Sequence, residues 1–477
     1  MILRHFPSAL CRAALLAIGI SGLTGCVHYQ ARPLVPEKTA AALAARSLND
    51  DGLRRFLAQN LGHEPDPWPL TSWNFEMLSW VAFYYQPSLE VARAQWSVAR
   101  AAVQTAAARP NPTLSLTPGY DTNSSGTSPW FPSINLDFLL ETAGKRDHRT
   151  TIERLTAESA RLDVLSAAWQ VRSELRRALI EVSALDRRQA LLREQVGLGR
   201  QTVTLLEQRV QAGLAAAPEI SSTQMILLKA EAAAADVERQ APLARNRVAQ
   251  ILGVPLAALD GIRLDDMLAA PGPFLSADEV AVARRLALQS RADVLAALAR
   301  YEASQAALQW EVARQYPDLH LGPGYQYDLG ENKWSLALTL ELPLFNRNEG
   351  PLAEAEARRR EAAAEFIVVQ ARAIGEIDGA AAAQTAAAGQ LAHLRRLQEE
   401  LEKQSTFMDA RLTAGEADRL ESQNAKIELN LGRLALLDAE AGTLAAAGQL
   451  EDALQVPLGN LPAAVALSSG VNQSHLP

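Results

Sequence analysis

The chain has 477 residues, with 46 Lys and Arg against 54 Asp and Glu, and a net charge of −8. That balance argues against a nucleic-acid binder, which needs a basic field, and a mean hydropathy of −0.06 excludes a bundle of membrane-spanning helices. Aromatic residues at 5%, beside abundant alanine, point to long helices packed closely rather than to a thick mixed core.

Arg4, His5 and Arg12 precede an apolar stretch from Ala13 to Leu23, and the first acidic residue is Glu37. A basic start and a short apolar run read as a secretory signal over residues 1–25, too short to span a bilayer as a mature helix. The run ends in Leu23-Thr24-Gly25-Cys26. This is similar to the lipobox of bacterial lipoproteins and implies that Cys26 becomes the lipidated first residue. Cys11 leaves with the signal, so the mature chain holds a single cysteine, and acylation is the simpler account of a lone thiol in an oxidising compartment. Val27 follows, not the aspartate that commonly retains lipoproteins at the inner membrane, so the resemblance points to the outer membrane. Residues 26–70, with Pro33, Pro36, Pro65, Pro67 and Pro69, read as a tether with some structure, including a short helix between Ala40 and Leu61.

The remainder is one pattern written twice. Ala108-Arg109-Pro110-Asn111-Pro112 is echoed by Ala313-Arg314-Gln315-Tyr316-Pro317, an offset of 317 − 112 = 205. Arg209-Val210-Gln211-Ala212-Gly213 is echoed by Arg411-Leu412-Thr413-Ala414-Gly415, and Val254-Pro255-Leu256 by Val456-Pro457-Leu458, both at 202. We therefore expect a first repeat over 71–258, a linker over 259–276, a second repeat over 277–459 and a tail over 460–477. Each repeat should run helix, hairpin, long helix, turn, helix.

In the first repeat the hairpin is predicted over 113–140. Ile134, Leu136 and Phe138 alternate with polar residues, and the partner strand covers about 113–121. Asp121 to Ser128 form its polar loop. No proline then occurs between Asp147 and Ala217, and 150–212 alone would reach roughly 95 Å as a helix. Leu155, Leu162, Leu165 and Trp169 belong to a stripe spaced by threes and fours, the pattern of a helix that packs lengthwise on others. Gly213 is placed to turn it into an antiparallel pair. The second repeat predicts a hairpin over 318–342, where Trp334, Leu336, Leu338, Leu340 and Leu342 alternate with polar or small residues. Its loop covers Leu329 to Asn332, and its turn lies near Gly415.

Period two with one apolar face gives strands of membrane-crossing length. Nothing evident in the sequence covers that face, so we read it as facing lipid, with His320 on the opposite, lumen side. Four strands cannot close a useful barrel, and an open edge is not tolerated in lipid. Several copies must therefore pool their strands.

This architecture resembles the TolC family of outer-membrane efflux channels, over about 75–460. Local patterns carry the resemblance: two strand-loop-strand units, two Arg-x-x-Ala-Gly turns, and Leu252-Gly253-Val254-Pro255. Glu141-Thr142-Ala143-Gly144-Lys145-Arg146 and the Leu342-to-Pro351 run are similar to outer-membrane components of heavy-metal exporters, the CzcC-like and CusC-like group. The resemblance implies a mainly α fold with a small β part. Long antiparallel helices would form a trimeric α-barrel, and four strands per protomer would contribute to a shared 12-stranded transmembrane β-barrel. It implies a homotrimer that meets a periplasmic adaptor (membrane fusion protein) and an inner-membrane pump of the resistance-nodulation-division class. Heavy-metal cations are the implied cargo. Drugs, solvents or a secreted polypeptide are the alternative, and a pore-less periplasmic coiled-coil lipoprotein is a remoter one.

By the same resemblance, Arg209, Gly213, Leu214, Arg411 and Gly415 occupy the tips that meet the adaptor. Glu421, six residues after Gly415, matches an acidic ring of the family's tunnel gate. Asn424 stands where a second acid is expected, and Glu219, six after Gly213, matches an acid of the closed-state links. Ala417 stands where the arginine partner is expected, so the gate chemistry should differ from the prototype. No G-x-x-x-x-G-K-[ST], H-E-x-x-H or Cys/His cluster occurs. We expect a passive conduit, not an enzyme, with no cofactor and no tight metal site.

Overall fold

The computed structural model describes residues 27–122, 129–269, 272, 274–328 and 330–458. The expected signal segment, Cys26 and residues 459–477 lie outside the described residues, as does most of the first hairpin's loop.

Residues 27–46 hold one short helix, α1 (Pro36–Ala44), with Pro36 at its first position, where a missing N–H costs nothing. The expected single helix from Ala40 to Leu61 is instead two. The second, α2 (Asp51–Leu61), starts afresh because Asp50 accepts the Leu53 N–H, and it ends at left-handed Gly62. A strong N-cap between two stretches of helix-forming sequence divides them.

The body from residue 47 follows one element order twice. The first repeat contains β1 (Ser72–Trp73), α3 (Phe75–Tyr85), α4 (Pro87–Ala107), β2 (Thr113–Thr117), β3 (Ser133–Leu140), α5 (Lys145–Gln211) and α6 (Ala217–Leu252). A short linker strand, β4 (Arg263–Leu264), pairs in parallel with β1. The second repeat contains α7 (Ala277–Ser290), α8 (Ala292–Ala313), β5 (Leu319–Asp328), β6 (Glu331–Leu340), α9 (Glu349–Thr413) and α10 (Arg419–Leu454). Where one opening helix was expected, each repeat has two, broken at Gln86 and at Arg291. Pro87 explains the first break. The second has no proline: Arg291 is held extended by its side chain, which bonds Asp293, Glu376 and the Ala453 carbonyl.

The 67 residues of α5 and 65 of α9 give helices of about 100 Å each. α6 packs on α5, α5 on α10, and α10 on α9; nearer the strands α4 packs on α5, α5 on α8, and α8 on α9. Each long helix ends in the same device. Gly213 and Gly415 take φ of +73° and +76°, Leu214 and Glu416 donate their N–H to the carbonyls of Arg209 and Arg411, and the glycine N–H groups bond Val210 and Leu412. These are Schellman motifs.

The main core lies at the waist. Trp73, Leu78, Val81, Leu175, Leu179, Val248 and Leu252 are buried in one cluster, and Ile377, Leu450, Leu454 and Leu458 in a second. Charge is buried beside them. Arg176, 5% exposed, bonds Glu451 at 2.6 Å, Asp452 at 3.1 Å and the Gly448 carbonyl at 2.8 Å.

Candidate functional site

Four strands form one sheet in the order β2-β3-β5-β6, antiparallel throughout. Register decides its chemistry. Leu114 faces Leu136, Leu116 faces Ile134, Ile134 faces Tyr325, Phe138 faces Leu321, Leu321 faces Leu338 and Tyr325 faces Trp334. Each is an apolar pair, and pairs in a ladder share a face, so one side of the sheet is continuously apolar. The other side carries Thr113 opposite Asp137, Ser115 opposite Asn135, Gln326 opposite Lys333 and His320 opposite Thr339. The apolar side is bare: Trp334 is 81% exposed and Leu336 68%. From Trp334 to Leu340 it covers about 20 Å along the strand. Near the loop ends, ring pairs Tyr120–Trp130 and Tyr325–Trp334 have centroids 4.9 Å apart. Aromatic pairs bounding an apolar band fit the edge of a bilayer.

The hairpins depart from expectation in two details. β2 stops at Thr117 instead of running to residue 121, because Pro118 lacks a ladder donor; Gly119 then packs under the Phe131 ring, and an isolated bridge joins Tyr120 to Trp130. The second loop is tighter than Leu329 to Asn332, since Asp328 pairs directly with Glu331 and Asn332 with Tyr327. His320 lies on the polar side, where its Nδ1 sits 2.9 Å from an Asp137 oxygen. β2 and β6 are the outer strands, and neither has a partner on its far edge among the described residues.

Polar anchors fix this sheet to the helices. Lys145, nearly buried, donates to Asp318 and to the Tyr316 carbonyl, both at 2.7 Å, while the Thr142 N–H reaches Asp318 at 2.9 Å. Arg149 bonds Glu141 at 2.7 Å, and Asn348 bonds the Glu311 carbonyl at 2.8 Å. The Thr142-to-Lys145 stretch, singled out in sequence, therefore joins strand to helix, and Asn348, from the second such run, ties the start of α9 to the end of α8.

At the opposite end the structure places Arg209, Gly213, Leu214 and Glu219 at the first tip, and Arg411, Gly415, Glu421 and Asn424 at the second. Leu214 is 71% exposed. Arg209 is ion-paired with Asp418 of the other tip, a link that sequence reading missed. Arg411 instead donates to the Glu416 carbonyl at 2.9 Å and lies over the Phe407 ring. The difference follows from the repeat: the offset of 202 puts Ala216 where an Asp418 counterpart would be. Glu219 and Glu421, the acids expected at a gate, both fold back on their own helices. Glu219 accepts the Ala216 N–H at 3.1 Å, and Glu421 accepts the Asp418 N–H at 3.2 Å, as N3 acids do in capping boxes. Asn424 is exposed. Next to this tip Asp409 accepts from Ser422 at 2.6 Å and pairs with Lys426 at 3.0 Å. The Ser422 hydroxyl, and then the Lys426 ammonium, hold its carboxyl below the usual carboxylate range.

Among the described residues no helix is long and apolar enough to cross a membrane, and no group of three or more His, Cys, Asp or Glu could hold a metal ion.

Comparison with known proteins agrees with this geometry. The family described as outer membrane efflux protein matches residues 84–254 and 283–455. The cobalt-zinc-cadmium resistance protein CzcC of Cupriavidus metallidurans is 24% identical over 262 residues, covering 54% of this chain and 60% of that protein. The outer membrane protein OprJ of Pseudomonas aeruginosa is 27% identical over 279 residues, covering 56% and 57%. The aligned part thus spans less than two thirds of either relative. Among solved structures, the outer membrane protein VceC of Vibrio cholerae superposes with a TM-score of 0.66 at 22% identity, covering 80% of this chain and 96% of that one. A CusC structure does so at 0.66 and 17% identity, covering 91% and 100%. The chain has the TolC-like fold and belongs to the outer membrane efflux protein family.

Proposed function

We propose that the chain is the outer-membrane channel of a tripartite efflux system. Three copies pool their strands into one barrel and their helices into one conduit, which passes cargo delivered by a periplasmic adaptor and an energised inner-membrane pump. One observation carries this reading: among the described residues the four-stranded sheet has one bare apolar face and two edges with no strand partner. In lipid, such edges require closure by β6 of one copy on β2 of the next. The helical layer supports it, since its outermost members also keep exposed apolar side chains: Met225, Ile226 and Leu228 on α6, Ile367 and Val368 on α9. Cys26 is the lipid anchor in this reading, and the two tips are the adaptor contact.

Heavy-metal cations are the favoured cargo, supported by the relative whose name is cobalt-zinc-cadmium resistance protein and by the CusC likeness. Deletion of the gene should sensitise cells to zinc, cobalt, cadmium, copper or silver; sensitivity to drugs alone would reject metals and keep the channel. Glu421 narrows a cation-selective aperture in the closed state. Gln at this position retains the capping bond, so Glu421→Gln isolates the charge. It should weaken cation selectivity and divalent-cation block in planar bilayers, and unchanged values would remove Glu421 from the gate.

A further inference from the structure

We propose that the groove at the base of the first hairpin holds the phosphate-bearing headgroup of a phospholipid in the periplasmic leaflet of the outer membrane. The inference rests on reading the sheet as a membrane barrel wall. The groove opens where residues 109–112 diverge from β3 and α5 begins, and its lining includes Arg109, Pro112, Phe138, Leu140 and Arg146. Phe138 and Leu140 belong to the apolar face of the sheet, through their pairing with Leu321 and Leu319. Immediately on the helix side stand two guanidinium groups. The groove is thus apolar where acyl chains would run and cationic where a headgroup would sit.

The charges around it are unequally engaged. Lys145 is committed to Asp318, and Glu141 is neutralised by Arg149. Arg109 and Arg146 make no side-chain hydrogen bond or ion pair among the described residues. Asp147 is the one acid of the lining without such a partner, so two free cations face one free anion. A planar guanidinium matches a phosphodiester with paired N–H donors, and cations just outside an apolar band are where lipid phosphates lie. The second repeat supplies a contrast. Its corresponding groove is lined by Arg314, Pro317, Pro343 and Arg347, but Arg314 is paired with Glu311 at 3.1 Å and stacked on Trp310. One committed arginine there replaces the free Arg109.

The test is native mass spectrometry of the purified full chain in its native oligomer, in detergent. The additions are dioleoylphosphatidylglycerol, dioleoylglycerol as the same lipid without phosphate, or inorganic phosphate. The wild-type protein should retain the phospholipid and not the diacylglycerol. The double variant Arg109→Ala with Arg146→Ala should bind it about tenfold more weakly, and the corresponding double Lys variant, which keeps the charge but loses the paired donors, should fall between the two. Equal retention by wild type and the Ala variant, or no retention by wild type, would overturn the proposal. Displacement of the lipid by inorganic phosphate would make this a free-anion site and also overturn it. Heat-modifiable migration and outer-membrane fractionation of the wild type, scored before any lipid is added, separate failure of the barrel reading from failure of the lipid site.

Discussion

The waist and the tips are built from the same helices by opposite means. At the waist, α5 and α10 bury Leu175, Leu179, Leu450 and Leu454 and enclose Arg176 among Glu451, Asp452 and the Phe75 ring. At the tips the same two helices are linked by exposed polar contacts, the half-exposed ion pair of Arg209 with Asp418 and a bond from Gln423 to Gln201 at 2.7 Å, while α6 and α10 carry their own N-terminal caps. Buried charge that is fully paired is costly to disturb, whereas exposed pairs contribute little and are screened by salt. The protomer is therefore pinned in the middle and only lightly fastened where a tunnel mouth would open and close.

The sharpest way to break this contrast is at the waist. Arg176→Ala removes the buried guanidinium held between Glu451 and Asp452, leaving those acids only the side chains of Arg172 and Ser173, and should cost about 3 kcal/mol, read as a lower urea midpoint; a loss comparable to that of a surface variant would contradict the pinned waist. A smaller effect is expected at the turns. No atom lies within 4 Å of a Cβ added at Gly415, so Gly415→Ala meets only the cost of a left-handed backbone, about 1 kcal/mol, and Gly415→Asn should cost less. The cross-tip pair comes next. A double-mutant cycle on Arg209 and Asp418 should give a coupling of about 0.5 kcal/mol that fades in high salt. A coupling as large as the loss at Arg176 would show that the tips are locked instead.

These expectations expose what the sequence could and could not display. Strand faces were legible because Ile134 to Phe138 and Trp334 to Leu340 alternate strictly, and one face decides the fate of a whole strand. The tips were legible because a left-handed turn needs glycine and the repeat supplies it twice. The three charge contacts that position these parts were not. Lys145 meets Asp318, Arg176 meets Glu451, and Arg209 meets Asp418, each across well over a hundred residues, and no local pattern announces such partners. The same is true of the break at Arg291, where the guanidinium bonds Asp293, the distant Glu376 and the Ala453 carbonyl and no proline is present. Glu219 and Glu421 could have been read as N3 caps from spacing alone, since each stands three residues after the first cap position.

The smallest effect concerns pH at the second tip. The folded value of Asp409 is depressed, first by the Ser422 hydroxyl and then by Lys426. Its contribution to stability is therefore full above the ordinary carboxylate range and lost as pH falls through the lower, folded value. Ser422→Ala should lower neutral-pH stability slightly and lessen the acid-side loss by the same amount, so that the two curves converge in acid. An identical acid limb in stability-versus-pH curves would show that this pair does not matter.

The account as a whole stands on closure of the open sheet by neighbouring copies into a conducting pore. Single-channel recording of the purified protein in planar lipid bilayers tests that claim most directly. Discrete, long-lived conductance steps are predicted. Folded protein that enters the bilayer fraction and yields no steps would contradict it.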